Sequence, residues 1–271
     1  MFKSILSVSQ GGPDAAMSFG LAARLAAPVD AVVDALHLTS TVTHDVVMGG
    51  EMLPILVGEG DEGERTTESA RQYASILEPL KTGSTYTADD VPTLDLLVSR
   101  GRCSDMIVLG RPGADPENVQ PVTVSTAIHE CARPVMIAPP NPGQGAFDKV
   151  VVAWNGSAQA ARAVGYALPF LARARQVTLV VAGRTPESVR APYLARNLGR
   201  LGIEATVDSI DAGGLSARAR GRALLGYVNE RQADLLIMGA YGRGQLLTFL
   251  GLGGATAKVI SSSRVPLLLA H

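Results

Sequence analysis

The run Asp234, Leu235, Leu236, Ile237, Met238, Gly239, Ala240, Tyr241, Gly242, Arg243, Gly244 sets an apolar segment directly against a glycine cluster. Its aliphatic residues do not alternate with polar ones, which reads as a strand covered on both faces, as in a parallel sheet. A second cluster, Gly251, Gly253 and Gly254, precedes Ala255 to Ser263, which reads as a helix. Strand, glycine loop and helix N-terminus in that order leave backbone N–H groups unpaired, and the missing Cβ atoms let a ligand come close. An anion such as a phosphate suits that place. Taken alone, the glycines are better explained by the turn.

Working outward, the chain repeats itself. Asp105, Met106, Ile107, Val108, Leu109, Gly110, Arg111, Pro112, Gly113 matches Asp234 to Gly242 position for position. Phe2 to Ser9 with a helix at 14–26 matches Phe147 to Asn155 with a helix at 157–172. Each half closes alike, with Arg133, Pro134, Val135, Met136, Ile137 against Val265, Pro266, Leu267, Leu268, Leu269. Strands alternating with helices inside so long a period indicate tandem α/β domains rather than a solenoid. We expect domains at 1–138 and 147–271, joined by a linker at 139–146 rich in proline and glycine.

The expected elements follow from periodicity. In the first half they are strands at 3–8, 31–38, 84–87, 106–109 and 135–138, with helices at 14–26, 64–80, 92–100 and 124–131. In the second they are strands at 150–153, 177–182, 203–207, 234–238 and 265–269, with helices at 157–172, 193–201, 215–232 and 255–263. Pro169 is expected to bend the first of these helices. Phe2 and Phe147 stand 145 residues apart but Asp105 and Asp234 only 129, so the first half carries 16 extra residues, expected within 40–61. That segment holds two apolar patches, Val46 to Met48 and Met52 to Val57, suited to capping its own domain or meeting a partner. Two five-stranded, doubly wound parallel sheets of strand order 3-2-1-4-5, helices on both faces, would bind ligand beyond their carboxyl ends, between the first and fourth strands.

Composition narrows the function. The 271 residues are 46% hydrophobic with a net charge of -1, enough for a full core and without the basic excess that nucleic acid or an anionic membrane would need. No apolar run approaches the roughly 20 residues of a membrane span, and Met1 to Gln10 lacks the layout of a signal peptide, so a cytoplasmic location is expected. Cys103 and Cys131 lack CxxC spacing and read as buried thiols. His37, His44, His129 and His271 are scattered, none at ligand spacing from a carboxylate or cysteine.

Val151, Val152, Ala153, Trp154, Asn155, Gly156, Ser157 resembles the opening of a universal stress protein domain. Gly239, Ala240, Tyr241, Gly242, the later Gly253 and Gly254, and the closing Val265, Pro266, Leu267 resemble its end. The resemblance covers the whole chain as two tandem copies and is stronger in the second. It implies a stress-response protein whose nucleotide-binding members hold ATP or AMP, with phosphates on a loop of pattern GxxGx9G(S/T) and an acidic residue at the end of the first strand contacting adenosine. The implied contact set is Ala153, Asn155, Ala182, Gly239, Gly242, Arg243, Gly244, Gly253, Gly254, Ala255 and Thr256. Magnesium would enter only with the nucleotide. The family's fifth strands pair across a dimer, which implies pairing of the two copies within this chain; a homodimer and a protein partner are further expectations.

Departures from the pattern weaken the expected affinity. Ten residues, Arg243 to Leu252, separate Gly242 from Gly253 where the family has nine. Gly254 replaces the phosphate-binding hydroxyl, with Thr256 a turn away as substitute, and the aspartate is Asn155, neutral and also suited, with Ser157, to capping the next helix. Trp154 or Phe249 lying across the site would exclude adenosine. In the first copy Gly110 and Gly113 persist, but Thr123 stands where the next glycine should, Pro116 and Pro121 remove donors, and the first strand ends in Ser9 and Gln10. That copy is expected to be a structural partner without nucleotide.

A rival reading rests on Ser9, Gln10, Gly11, Gly12, Pro13, Asp14, which is similar to the SGGxDS loop of adenylating ATP pyrophosphatases. Gln10 splits that motif, Ala15 replaces its last serine, and capping of a helix by Asp14 explains the same residues. Gly156, Ser157 is no nucleophile elbow, because it begins a helix. Arg243 and Lys258, and less readily Arg264, are candidate phosphate partners, each better suited to a solvated surface. With no placed general base and no metal-binding carboxylate at the loop, the chain is not expected to be an enzyme, and any ATP hydrolysis would be slow and incidental. The non-enzymatic rival is an interaction module that binds no nucleotide and pairs through its edge strands.

Overall fold

The computed structural model describes residues 2–39, 43–48, 51–56, 62–88, 94–112, 118–183, 190–211, 214–241 and 254–271. The first half runs β1 (Ser4–Ser9), α1 (Pro13–Ala26), β2 (Val32–His37), β3 (Thr43–Met48), β4 (Glu51–Leu56), α2 (Glu62–Ile76), β5 (Ser84–Ala88), α3 (Leu94–Cys103), β6 (Met106–Gly110), α4 (Pro121–Glu130) and β7 (Val135–Ala138). The second runs β8 (Lys149–Trp154), α5 (Ala158–Leu171), β9 (Gln176–Ala182), α6 (Ala191–Gly199), β10 (Ala205–Ile210), α7 (Ala217–Glu230), β11 (Leu235–Gly239), α8 (Ala255–Ser262) and β12 (Leu267–Ala270).

Ten of these strands form one sheet in the order β10-β9-β8-β11-β12-β7-β6-β1-β2-β5. Within each half the order is 3-2-1-4-5 and every pairing is parallel. The halves join where β12 meets β7 antiparallel, with Leu267 opposite Ile137, Leu268 opposite Met136 and Leu269 opposite Val135. Successive side chains of a strand point to opposite faces, so uninterrupted aliphatic strands feed two cores at once. Ile5, Val108, Met136, Val152, Ile237 and Leu268 enter one core, packed under α1 and α5; Leu6, Leu109, Ile137, Val151, Leu236 and Leu267 enter the other, under α4, α7 and α8. Each such side chain contributes about 1.5–3 kcal/mol of burial, and both layers continue across the seam without a break.

The amino ends of the central strands are fastened by the same kind of link in both halves. Asp105 Oδ2 accepts the N–H groups of Lys3 and Ser4 at 2.7 and 3.1 Å, and Asp234 Oδ2 accepts that of Lys149 at 2.8 Å. Both aspartates stand just before a fourth strand, so the repeat extends to this side chain–backbone link.

Several expectations change. The insertion contains a β-hairpin: β3 and β4 pair antiparallel as a separate two-stranded sheet, from Thr43 opposite Leu56 to Met48 opposite Glu51. His44, Asp45 and Pro54 interrupt the apolar pattern of both strands, which hid them. Pro121, read as a lost donor in a loop, is the first residue of α4, where its missing N–H costs nothing. The third helix begins at Leu94; Pro92, expected to open it, lies outside the described residues. Cys103 is exposed on α3, whereas Cys131 is buried, its thiol raised to about 11 by burial; both are free.

Candidate functional site

The second half places its candidate residues along the carboxyl edge of three neighbouring strands. Ala153 lies in β8, Ala182 ends β9 and Gly239 ends β11, with β8 between the other two. Asn155, exposed, follows β8 directly. Its Oδ1 accepts the N–H of Ser157 at 3.1 Å, and Ser157 Oγ in turn accepts the N–H of Ala160 at 3.1 Å, capping α5. The carboxamide thus helps shape the turn, and its NH2 group is the donor left for a ligand.

Gly239 has a packing role that the sequence did not disclose. A Cβ there would lie 2.5 Å from the amide nitrogen of Ala160 and 2.8 Å from the carbonyl carbon of Gln159, so the first turn of α5 rests directly on the strand tip. Gly110 does the same in the first half, where a Cβ would lie 2.9 Å from Cβ of Asp14. Beyond Gly239, Ala240 is buried and Tyr241, left-handed at φ 47°, turns its ring onto His129 of the first half at 5.0 Å between centroids.

Buried Gly254 is the N-cap of α8 at φ −75°, ψ 164°, and among the described residues no side chain caps the helix. Ala255 and Thr256 open the first turn, half-buried. The leading N–H groups of a helix lack intrahelical partners, and the macrodipole adds positive character there. Gly242, Arg243, Gly244 and Gly253, with Phe249, lie outside the described residues. Lys258 does not turn to this end: its Nζ donates to Ser262 Oγ at 2.8 Å, one turn further down α8. Arg264 follows α8 and precedes β12, at the opposite edge of the sheet. Of the three candidate phosphate partners, neither described one stands at the start of α8.

The corresponding crevice of the first half is occupied by its own side chains. Gln10, at the tip of β1, places Oε1 at 2.7 Å from the backbone N–H of Gln120 and 3.1 Å from the hydroxyl of Thr123, both at the start of α4. The N–H of Gln10 goes to Asp14 Oδ2 at 2.9 Å and that of Gly11 to Ser9 Oγ at 2.9 Å. Ser69 of α2 donates to Ser9 Oγ at 3.4 Å. Gly11, left-handed at φ 90°, lets α2 sit down on the loop; a Cβ there would be 2.6 Å from Cβ of Arg65. At the tip of β2, His37 Nε2 lies 3.1 Å from Glu62 Oε1 and 3.2 Å from Thr66 Oγ1.

These groups are deeply buried. Asp14 and His37 are both 0% exposed. Burial pushes the Asp14 carboxyl well above the usual carboxylate range, against the N–H of Gln10, which favours the charged form. Burial also lowers His37, against the opposing hydrogen bond that its ring donates to Glu62. Asp14 therefore does not cap α1, as the sequence suggested; its side chain reaches back to Gln10, and the N-cap Gly12 has no side-chain bond. Neither Gln10 nor His37 stood out in the sequence, because their partners are 110 and 25 residues away. Among the described residues no group of three or more His, Cys, Asp or Glu could hold a metal, and no helix is long and apolar enough to cross a membrane.

Comparison with known proteins agrees with this architecture. Residues 217–271, from α7 to the end of β12, match the Universal stress protein family. Over its whole length the chain is similar to the crystal structure of a universal stress protein from Archaeoglobus fulgidus DSM 4304, at 16% identity and TM-score 0.66, covering 98% of this chain and 95% of that one. It is also similar to a functionally unknown protein from Pseudomonas aeruginosa PAO1, at 12% identity and TM-score 0.57, covering 99% and 92%. No curated protein matches the chain.

Proposed function

We propose that this chain, which carries the universal stress protein fold along its whole length and the family's sequence pattern over residues 217–271, is a cytoplasmic stress-response module that binds one adenine nucleotide, ATP or AMP, in its second half. The observation that carries the reading is the contrast between two helix starts. At α4 the backbone N–H of Gln120 and the hydroxyl of Thr123 are taken by Gln10 Oε1. At α8 the equivalent turn begins at Gly254, and among the described residues no side chain caps it. A phosphate in the second half would be held by the N–H groups opening α8 with Thr256, beside the sequence's glycines Gly242, Gly244 and Gly253, and adenosine would meet Asn155 and the ends of β8 and β9. Magnesium would come only with the nucleotide. The first half serves as structural partner, and the chain is a sensor, not an enzyme: the loop at Ser9 to Asp14 has the N–H groups of Gln10 and Gly11 already bonded to its own side chains.

Calorimetric titration of the whole chain with ATP and with AMP tests this. The expected result is one site per chain and, at 100 times the dissociation constant, a stabilisation of about 2.7 kcal/mol. Two equivalent sites, or no binding of either nucleotide at millimolar concentration, would overturn it. One observation favours a second reading, an interaction module without nucleotide: the oxygen of Asn155 is already engaged by Ser157. In that case partners would meet the chain at its edge strands, β5 and β10.

A further inference from the structure

At the amino ends of the strands, opposite both crevices, α1, the interdomain linker and the end of α5 enclose a cavity of about 760 Å³. We propose that it binds a small amphiphile with a single carboxylate, the apolar chain lying among aromatic rings and the head on Arg173. The volume falls in the range of small-molecule sites, and the lining is mostly apolar.

Three phenylalanines build it. Phe2, just ahead of β1, and its repeat counterpart Phe147, just ahead of β8, both meet Phe170 of α5, at 5.5 and 5.7 Å between ring centroids. The repeated phenylalanine thus has a use separate from the crevices: both copies turn into one space shared by the two halves. The linker forms a wall, pinned by Arg24, which donates to the carbonyls of Gly145 at 2.8 Å, Ala146 at 3.1 Å and Pro142, and lies 3.9 Å over the ring of Phe147.

The charge of the lining selects the ligand. Among the described residues Arg24 and Arg173 line the cavity and no carboxylate does, the nearby Asp234 acting on Arg24 from outside the lining. Arg24 is committed to the linker. Arg173 is exposed at the rim, and among the described residues its guanidinium has no hydrogen-bond or ion-pair partner. An apolar hollow with one uncommitted guanidinium fits an acyl chain ending in a carboxylate, which arginine binds in bidentate fashion. A cationic head would be repelled.

Calorimetric titration of the whole chain with dodecanoate and with dodecyltrimethylammonium, both below their micelle concentrations, tests the assignment. Dodecanoate is expected to bind once per chain, at least tenfold tighter than the cation. Arg173→Gln should weaken dodecanoate about tenfold with no change in melting temperature. Gly20→Leu should abolish binding, because a Cβ at Gly20 points into open space with only Pro142 Cγ near, at 3.8 Å, and a longer side chain fills the cavity. If that variant melts early, Arg173→Gln decides alone. Equal affinity for anion and cation, no binding of dodecanoate, or binding that Arg173→Gln leaves unchanged would overturn the proposal.

Discussion

The side-chain oxygen of Gln10 accepts the backbone N–H of Gln120 at 2.7 Å, tying the tip of β1 to the first turn of α4. The same atom accepts from Thr123, which is wholly buried. Gln10→Ala leaves both donors without that acceptor, and the cost of orphaned buried donors is about 1–3 kcal/mol. Urea denaturation of the variant should show that loss in the midpoint with the slope unchanged.

Glycines at the two edges of the second crevice should respond in opposite directions. Gly239→Ala forces a carbon to within 2.5 Å of the Ala160 nitrogen, a backbone atom that moves only with its helix, so a loss of about 1–3 kcal/mol is expected. Gly254 sits at a φ and ψ open to any residue, at a position where serine caps well. Gly254→Ser should leave the thermal stability of the free chain equal or higher, its oxygen capping α8, and should tighten ATP only by turning the restored hydroxyl onto the phosphate, which then takes the opening N–H groups in its place. Thermal melts with and without ATP read both effects together.

Acid and base should act on the first half through different groups. Asp14 holds its proton more tightly folded than unfolded, so unfolding releases it, and stability falls as pH rises from about 4 through the raised value. Asp14→Asn keeps an acceptor for the Gln10 N–H and removes the ionisation, so its urea midpoint should gain on the parent's between pH 4 and 8. His37 is displaced the other way. It stays neutral when folded, unfolding takes up a proton, and stability is lost as pH falls below about 6.5 towards the lowered value. His37→Gln should reduce that acid-side loss.

Because both cores cross the β7–β12 seam, the halves should unfold together. Trp154 is the chain's sole tryptophan and lies in the second half, so its fluorescence reports there, while far-ultraviolet circular dichroism reports on both. The two urea transitions should coincide. Separate midpoints would show that the seam does not couple the domains.

Much of the frame was legible because it is written locally. The aliphatic runs at 106–109 and 235–238 admit one kind of strand, and the matching of Phe2 with Phe147 and of Asp105 with Asp234 gave both halves their strand order. What could not be read was written at a distance. The approach of Gly239 to Ala160 looks in sequence like any glycine beside a phosphate loop. The seat of α2 on Gly11 depends on Arg65, and Gln10 seemed only to spoil a motif until Gln120 was beside it. Asp14 in the first turn of a helix suggests a cap by frequency, but burial redirected it to the preceding loop.

The antiparallel pairing of Leu268 with Met136 has a consequence for dosage. Two subunits that find each other by diffusion separate when they are scarce, and whatever their union enables fades with them. Here a covalent tether keeps the mate at hand at any abundance, so the assembled form would be as complete with a few copies as with thousands.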